Sequence, residues 1–183
     1  MLEVEMKFRC DDWPAIEAKL LAWNAEAVPA RIETDHYFNA PDRDFARTDE
    51  AVRLRRTGPN NTLTYKGPRI DTQTKARPEI ELPLAEGDGA ADDAVRFITS
   101  LGFKPVAEIS KVRHVFRFVR NGFALEVCLD DAGPVGRYVE LEIMADEADF
   151  ESAKATVLQT AAELGLTEQE RRSYLKLHLD RIR

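Results

Sequence analysis

Residues 2–9 read LEVEMKFR and alternate between apolar and charged side chains. Successive side chains of a β-strand point to opposite faces, so this stretch predicts a strand with one apolar and one charged face. On the charged face Glu3 and Glu5 lie two residues apart, which places two like charges about 7 Å from each other. The charged face of such a strand needs a counter-charge opposite it.

The same like-charge spacing recurs along the chain. The further pairs are Arg53 with Arg55, Glu79 with Glu81, Lys111 with Arg113, and Glu140 with Glu142. A solvated sheet face normally mixes signs, because opposite charges on neighbouring strands pair favourably. A half-exposed sheet is the commoner explanation of any single pair. Five same-sign pairs favour an arrangement in which facing strands or a bound ligand offsets the repulsion.

Periodicity along the chain predicts eight strands and four helices. The strands are 2–9, 29–39, 50–57, 62–67, 75–83, 105–120, 123–130 and 137–145, and the helices are 13–24, 90–101, 147–165 and 168–182. Most strands follow each other as hairpins, with the clearest turn at Asn121-Gly122, so the sheet is predicted to be mostly antiparallel. Eight such strands can close around one small ligand. We therefore predict an α+β fold in which residues 1–183 form a single domain, an eight-stranded, mostly antiparallel β-barrel (a tunnel) with helices packed on its outside.

If the charged faces of the strands point inward, the lumen of this barrel is lined by charges of both signs. The basic set is Lys7, Arg53, Arg55, Lys66, Arg77, Lys111 and Arg113, and the acidic set is Glu3, Glu5, Glu79, Glu81, Asp130, Glu140 and Glu142. Carboxylates are hard oxygen ligands that favour Mg²⁺ or Mn²⁺, while arginine and lysine suit phosphate oxygens. A cationic wall facing an acidic wall therefore predicts a site for a metal–polyphosphate complex.

The apolar faces of the same strands then point outward, where the helices are expected to cover them. These positions are Val4, Met6, Val52, Leu54, Ile80, Leu82, Val139, Leu141 and Ile143.

Composition and charge argue against several other classes of protein. The chain has 183 residues, 44% of them hydrophobic, and a net charge of −7, which disfavours a duplex nucleic-acid binder. No apolar run approaches the roughly 18 residues of a membrane helix, and the charged N-terminus does not resemble a signal peptide. Cys10 and Cys128 lack metal-type spacing and fit reduced thiols. We expect a cytoplasmic protein with neither a nucleic-acid nor a membrane partner.

The motifs together resemble the CYTH superfamily, also called triphosphate tunnel metalloenzymes, which is named for class IV adenylyl cyclases and thiamine triphosphatases. EVEMK at 3–7 is similar to the family's ExExK signature. The remaining matches, in the family's order, are AVRLR at 51–55, LTYKGP at 63–68, RPEIE at 77–81, KVR at 111–113, LD at 129–130 with GRYVELE at 136–142, and SYLKL at 173–177. The resemblance covers nearly the whole chain.

This resemblance implies roles for individual residues. Glu3, Glu5, Asp130, Glu140 and Glu142 would hold one or two divalent metals, either Mg²⁺ or Mn²⁺. Lys7, Arg53, Arg55, Lys66, Lys111 and Arg113 would bind the triphosphate, and Glu3, Glu5, Lys7 and Lys66 form the predicted catalytic set. Two alternatives stay open for Arg77, Glu79 and Glu81: Arg77 binds triphosphate while the two glutamates line the tunnel, or all three form a structural ion-pair network.

The resemblance also implies a substrate, either ATP or tripolyphosphate. The tail and the TYKGP strand are most similar to class IV adenylyl cyclases, which favours conversion of ATP to cyclic AMP and pyrophosphate. One alternative is a triphosphatase that hydrolyses inorganic tripolyphosphate, thiamine triphosphate or a nucleoside triphosphate. Another is a non-catalytic polyphosphate- or nucleotide-binding module. Related proteins are often dimers, so a homodimer is a further expectation.

Three features near the predicted lumen have alternative interpretations. Tyr37 is expected to be a packing residue, although Asp35 or Tyr37 could line one mouth of the tunnel. Arg171, Arg172 and Lys176 either reach the basic end of the lumen or lie on a solvated helix face. Cys128 shares a strand face with Glu126 and Asp130, where packing is favoured over contact with a metal.

Overall fold

The computed structural model describes residues 2–182; Met1 and Arg183, the ends of the predicted domain, lie outside the described residues. The eight strands are β1 (Leu2–Arg9), β2 (Glu26–Asn39), β3 (Ala51–Thr57), β4 (Asn60–Lys66), β5 (Arg77–Pro83), β6 (Lys104–Arg120), β7 (Phe123–Asp131) and β8 (Arg137–Ala145). The five helices are α1 (Trp13–Ala22), α2 (Phe45–Thr48), α3 (Asp88–Ser100), α4 (Phe150–Leu164) and α5 (Tyr174–Arg181). None of these helices is both long enough and apolar enough to cross a bilayer.

The strands form a closed barrel in the order β1-β5-β4-β3-β2-β6-β7-β8, with every neighbouring pair antiparallel. β1 pairs with β8 along its whole length, from Leu2 opposite Ala145 to Arg9 opposite Tyr138. On its other edge β1 pairs with β5 at only two positions, Leu2 with Pro78 and Glu3 with Arg77. The predicted antiparallel barrel is confirmed, with a short seam between β1 and β5.

The main hydrophobic core lies outside the barrel. The outward side chains of β1, β7 and β8, such as Val4 and Leu141, pack under α1 and α4, where Leu20 and Val157 are fully buried. Each such side chain contributes roughly 1.5–3 kcal/mol by leaving water. The apolar faces of these strands are therefore covered by helices, as predicted.

On the opposite side of the barrel, the helices cover only part of the outward apolar surface that they were predicted to cover. Leu54 of β3 packs with Ile98 of α3, whereas Ile80 and Leu82 of β5 are 56% and 53% exposed. A helix is about 10 Å wide and strands lie about 4.8 Å apart, so one helix covers about two strands. The prediction that helices cover Ile80 and Leu82 is wrong because α3 lies over β3 and the near side of β4.

The C-terminal helices begin later than predicted. The helix predicted over 168–182 begins at Tyr174, because the segment before it is extended and bridges β1 through Phe8 and Gln169. The hydroxyl of Ser173 caps α5 by accepting a hydrogen bond from the backbone N–H of Lys176 at 3.1 Å. α4 begins at Phe150, after a short 3-10 turn rather than at residue 147. The four-residue α2 was not predicted.

Candidate active site

Charged side chains converge inside the barrel. Of the predicted set, Glu3, Glu5, Lys7, Arg77, Lys111, Arg113, Asp130 and Glu140 are buried; Arg53, Arg55, Lys66, Glu79 and Glu142 are partly buried; and Glu81 is exposed. Lys7 and Asp130 have no exposed surface at all. Buried charges of this kind persist only when they are paired, so their partners determine what the site can do.

One cluster centres on Arg113 of β6. Arg113 lies opposite Asp130 in the β6–β7 register, and its Nε and Nη2 donate to the two carboxylate oxygens at 2.7 and 2.6 Å. The same guanidinium contacts Glu140 and lies 3.3 Å from Glu142 on β8. Lys111 reaches Asp130 at 3.0 Å. This two-pronged geometry is the one with which arginine recognises phosphate as well as carboxylate.

A second cluster lies around Lys66 of β4. Its ammonium contacts Glu3 at 2.7 Å and Glu79 at 2.8 Å, and Arg53 lies 3.9 Å from Glu79. Burial and the neighbouring Glu79 raise the pKa of Glu3, although Lys66 opposes that rise. Because it contacts Lys66, Glu79 is one of the charged residues inside the barrel.

The other two residues of the RPEIE segment do not form the alternative ion-pair network with Glu79. Arg77 is buried, and its guanidinium lies 3.5 Å from the carbonyl oxygen of Gly67 rather than against a carboxylate. Glu81 is exposed, with the Thr64 hydroxyl 3.5 Å away.

Two interior acids on β2 correct the expected cationic wall: Glu33, which was not predicted, and Asp35, for which a place at one mouth of the tunnel was one alternative. Asp35 accepts two hydrogen bonds from Arg55, at 2.7 and 2.8 Å, and Glu33 lies 3.0 Å from the same guanidinium. β2 lies between β3 and β6, so its carboxylates separate the arginines of β3 from Lys111 and Arg113. The prediction of one purely cationic wall is wrong. The basic side chains of β3 and β6 would repel each other, and the carboxylates of β2 between them offset that repulsion.

The pKa values of these acids reflect that environment. Burial alone would raise the pKa of Glu33, but Arg113, Arg55 and Lys111 outweigh it and lower the pKa to about 2. Burial is likewise overcome at Asp35, where Arg53 and Arg55 hold the pKa far below its ordinary range. Both side chains are therefore ionised counter-charges. Their signal in the sequence was the alternation of Glu33, Asp35 and Tyr37 in RIETDHYF.

Lys7 and Tyr174 meet at another part of the interior. The Lys7 ammonium lies 4.0 Å from a Glu140 oxygen and 4.0 Å from the centroid of the Tyr174 ring, and it has no hydrogen-bond partner among the described residues. Burial, together with repulsion from Lys75, lowers the pKa of Lys7 to about 7. The Tyr174 hydroxyl donates to Asp130 at 2.7 Å. Thus α5 contributes an aromatic side chain to the interior.

The tail cations lie on the surface instead. Arg172 and Lys176 pair with Asp180 at 3.3 and 2.7 Å, and Arg171 is exposed. The alternative of a solvated helix face describes them correctly. The SYLKL segment at 173–177 contained the signal for Tyr174, but sequence reasoning did not separate its buried residue from its exposed ones.

A row of carboxylates crosses three neighbouring strands. Glu5 on β1 lies opposite Glu142 on β8, which lies opposite Glu126 on β7. Ligand atoms of Glu126, Cys128 and Glu142 all lie within 4.8 Å of one another. Burial raises the pKa of Glu142, as do nearby carboxylates that include Glu140, against the opposing effect of Arg113.

Each carboxylate of this row has a basic partner, Lys75 at Glu5, Arg113 at Glu142 and Arg117 at Glu126. The row nevertheless fits a divalent cation, because carboxylate oxygens grouped this closely are the hard ligands that such a cation takes. Glu126 was not among the predicted metal ligands, and Asp130 lies away from the row, where Arg113, Lys111 and Tyr174 hold its carboxylate. The predicted metal ligands therefore lie in more than one place: Glu5 and Glu142 belong to the row, whereas Asp130 belongs to the cluster around Arg113.

Comparison with known proteins identifies the family. The CYTH domain model matches residues 1–174. A protein of Methanocaldococcus jannaschii named "putative adenylate cyclase" is 32% identical over 180 residues, covering 97% of this chain and 98% of its own length. The adenylate cyclase CyaB of Aeromonas hydrophila is 32% identical over 181 residues, covering 96% and 87%. The structure of the PH1819 protein of Pyrococcus horikoshii is 34% identical, with a TM-score of 0.83 and coverage of 98% and 99%. With its closed, charge-lined barrel, this chain belongs to the CYTH domain family.

Proposed function

We propose that this protein is a divalent-metal-dependent enzyme that converts ATP to cyclic AMP and pyrophosphate inside its barrel. The observation that carries the proposal is the convergence of buried arginine and lysine side chains with a row of carboxylates in one lumen. The names of the Aeromonas and Methanocaldococcus relatives support the cyclase reaction, because the similarity covers almost the entire chain.

The basic clusters would bind the triphosphate. Arg53, Arg55, Lys66, Lys111 and Arg113 come from three strands and reach the same interior, so a linear chain of three phosphates can contact several of them at once. In the free protein these cations pair with carboxylates, notably Asp35 and Asp130. A triphosphate would replace part of those partners through charge-assisted hydrogen bonds, and the protein side of the exchange costs little further desolvation because these cations are already largely buried.

The carboxylates Glu3, Glu5, Glu140 and Glu142 would hold Mg²⁺ or Mn²⁺. When bound, the metal supplies Lewis-acid stabilisation of the charge that develops on the phosphate oxygens. Burial and neighbouring carboxylates raise the pKa of Glu142 against the effect of Arg113, so a divalent cation bound there would displace the carboxyl proton and offset the repulsion among these carboxylates. Glu126 extends the same row and is a further ligand candidate.

In the proposed reaction the ribose 3′-hydroxyl loses its proton to water, and its oxygen attacks the α-phosphorus and forms the new P–O bond. The bond from the α-phosphorus to the oxygen bridging it to the β-phosphorus breaks, and pyrophosphate leaves with that oxygen. Lys66 and Lys7 would hold the phosphate oxygens during this exchange; the Lys7 ammonium is buried and has no hydrogen-bond partner among residues 2–182. Catalysis of this kind depends on position and charge more than on covalent chemistry.

An assay with ATP and Mn²⁺ tests the proposal. We expect cyclic AMP and pyrophosphate in equal amounts, and we expect Glu5→Gln to abolish their formation. Glu108→Gln is the matched control, because Glu108 is a strand glutamate whose side chain is 58% exposed and pairs with His36.

Other products would identify the alternatives. Release of inorganic phosphate from ATP or tripolyphosphate without cyclic AMP would establish a triphosphatase. Tight binding without turnover, unaffected by Glu5→Gln, would establish a binding module. Either result would overturn the cyclase assignment. A homodimer stays a prediction, which sedimentation analysis can check.

A further inference from the structure

The loop 67–76, between β4 and β5, inserts a lysine that the sequence analysis did not select. Beyond the two pairs that join β1 to β5, the backbone N–H of Lys75 donates to the carbonyl oxygen of Glu5 at 2.8 Å. This bond continues the short seam by one more position. Lys75 is only 5% exposed, and its side chain points into the charged interior.

Contacts outside the barrel fix the same loop. Asp71 pairs with Lys154 of α4 at 2.8 Å and also accepts hydrogen bonds from Thr74. The guanidinium of Arg69 pairs with Asp49 at 2.7 Å. These anchors lie on the outer surface while residues 74–76 are buried, so the loop holds Lys75 at a defined depth in the seam.

Lys75 faces carboxylates that are otherwise placed to hold a metal. Its Nζ lies 2.5 Å from Glu5 and 3.8 Å from Glu140. The Glu140 oxygen near Lys75 is also 4.0 Å from the ammonium of Lys7. Two ammonium groups therefore flank one carboxylate oxygen in a buried site, and their mutual repulsion favours the arrival of a further anion.

We infer that Lys75 is a triphosphate-binding residue that changes partners, contacting Glu5 and Glu140 in the free protein and a phosphate oxygen when a metal–triphosphate complex occupies the barrel. The inference rests on the proposed function, in which Glu5 and Glu140 hold the metal. A carboxylate bound to a divalent cation cannot also favour a close ammonium, because the two cations repel each other. The long, flexible stem of lysine lets its charge move to a nearby phosphate while the loop backbone stays in place.

Isothermal titration calorimetry on the full chain separates this role from a structural one. Mn²⁺ is titrated alone, and tripolyphosphate is then titrated in saturating Mn²⁺. For Lys75→Ala we expect Mn²⁺ to bind severalfold more tightly, because a competing cation has gone, and tripolyphosphate to bind about 10-fold to 100-fold more weakly. Lys75→Arg keeps the charge and should recover much of the tripolyphosphate affinity.

A charge-matched control is the double variant Lys75→Ala with Thr72→Lys, which returns the positive charge to an exposed position of the same loop. We expect it to bind tripolyphosphate as weakly as Lys75→Ala. Should Lys75→Ala fail to fold, Lys75→Met, which keeps most of the stem, is measured instead.

The two affinities decide the outcome. Unchanged tripolyphosphate affinity in the alanine variant, full recovery in the double variant, or equal weakening of both ligands would overturn the assignment of Lys75. Failure of the wild-type protein to bind tripolyphosphate in Mn²⁺ would instead overturn the triphosphate site on which the proposed function depends.

Discussion

Single residues show how this barrel tolerates so much buried charge. Glu33 is almost completely buried, yet three cations surround it and lower its pKa to about 2 from an ordinary value of 4.5. Its carboxylate is therefore ionised across the physiological range. Breaking such a pairing leaves uncompensated charges, which costs far more than the pairing itself contributes.

We predict that Glu33→Gln lowers the free energy of unfolding by about 3 kcal/mol at pH 7, because Arg55, Lys111 and Arg113 lose a shared counter-charge. The folded-state pKa lies below the unfolded value, so ionised Glu33 stabilises the fold above about pH 4.5 and loses this effect as the pH falls towards 2. Urea denaturation between pH 7 and pH 3 should show the deficit of the variant shrinking with acidity. A deficit independent of pH, or none at pH 7, would contradict this account.

A second prediction concerns the contribution of the Tyr174 side chain to stability. Tyr174→Phe removes the hydrogen bond to Asp130 but keeps the ring over Lys7. Hydrogen bonds to charged groups contribute roughly 1.5–3 kcal/mol, so we expect a loss of that size in urea denaturation. Tyr174→Leu should cost more, because the contact between the ring and the ammonium is also lost. Equal losses in the two variants would show that the ring contributes nothing.

Strands and helices could be predicted from the sequence wherever the apolar residues keep one spacing along the whole element. All eight strands were predicted, because alternation of apolar and charged residues is enforced by helices outside and charges inside. The start of α5 was missed because residues 167–172 follow tertiary contacts with β1 rather than their own helical pattern. Glu33 was missed, and the pairing of Asp35 with Arg55 was not predicted, because the partners of these acids come from the neighbouring strands β3 and β6.

Lys75 lies at the start of the predicted strand 75–83, in alternation with Arg77 and Glu79, but it was not assigned to the charged interior. Its burial depends on a loop that crosses the seam and is anchored at Asp71 and Arg69. The predicted strand began two residues too early, because β5 starts at Arg77, and the path of the loop across the seam depends on these distant anchors and has no local signal.

The N-terminal cap of α5 allows a prediction about the stability of that helix. Ser173→Ala removes the hydroxyl that accepts from Lys176 and should destabilise the helix by about 1 kcal/mol. Amide hydrogen exchange within α5 should then be about fivefold faster, because that free energy corresponds to such a factor. Exchange in α4 should be unaltered. An unchanged α5 would show that Tyr174 and Leu177, which are both buried, hold it without the cap.

The whole molecule is a barrel whose apolar faces support helices outside and whose polar faces meet within. A ligand that completes the interior charge balance should stabilise the folded state as a unit. We predict that tripolyphosphate with Mn²⁺, at a concentration 100 times its Kd, raises the free energy of unfolding by about 2.7 kcal/mol. Thermal denaturation measures this effect, and Arg53→Ala should reduce it at the same concentration. Stabilisation by Mn²⁺ alone of equal size would contradict a triphosphate site.

A crystal structure with Mn²⁺ and a non-hydrolysable ATP analogue shows whether the substrate enters the barrel. We expect anomalous density for Mn²⁺ beside Glu5 and Glu142, with the triphosphate inside the barrel against Arg53, Lys66 and Arg113. An analogue bound outside the barrel, with the interior ion pairs unchanged, would contradict this expectation.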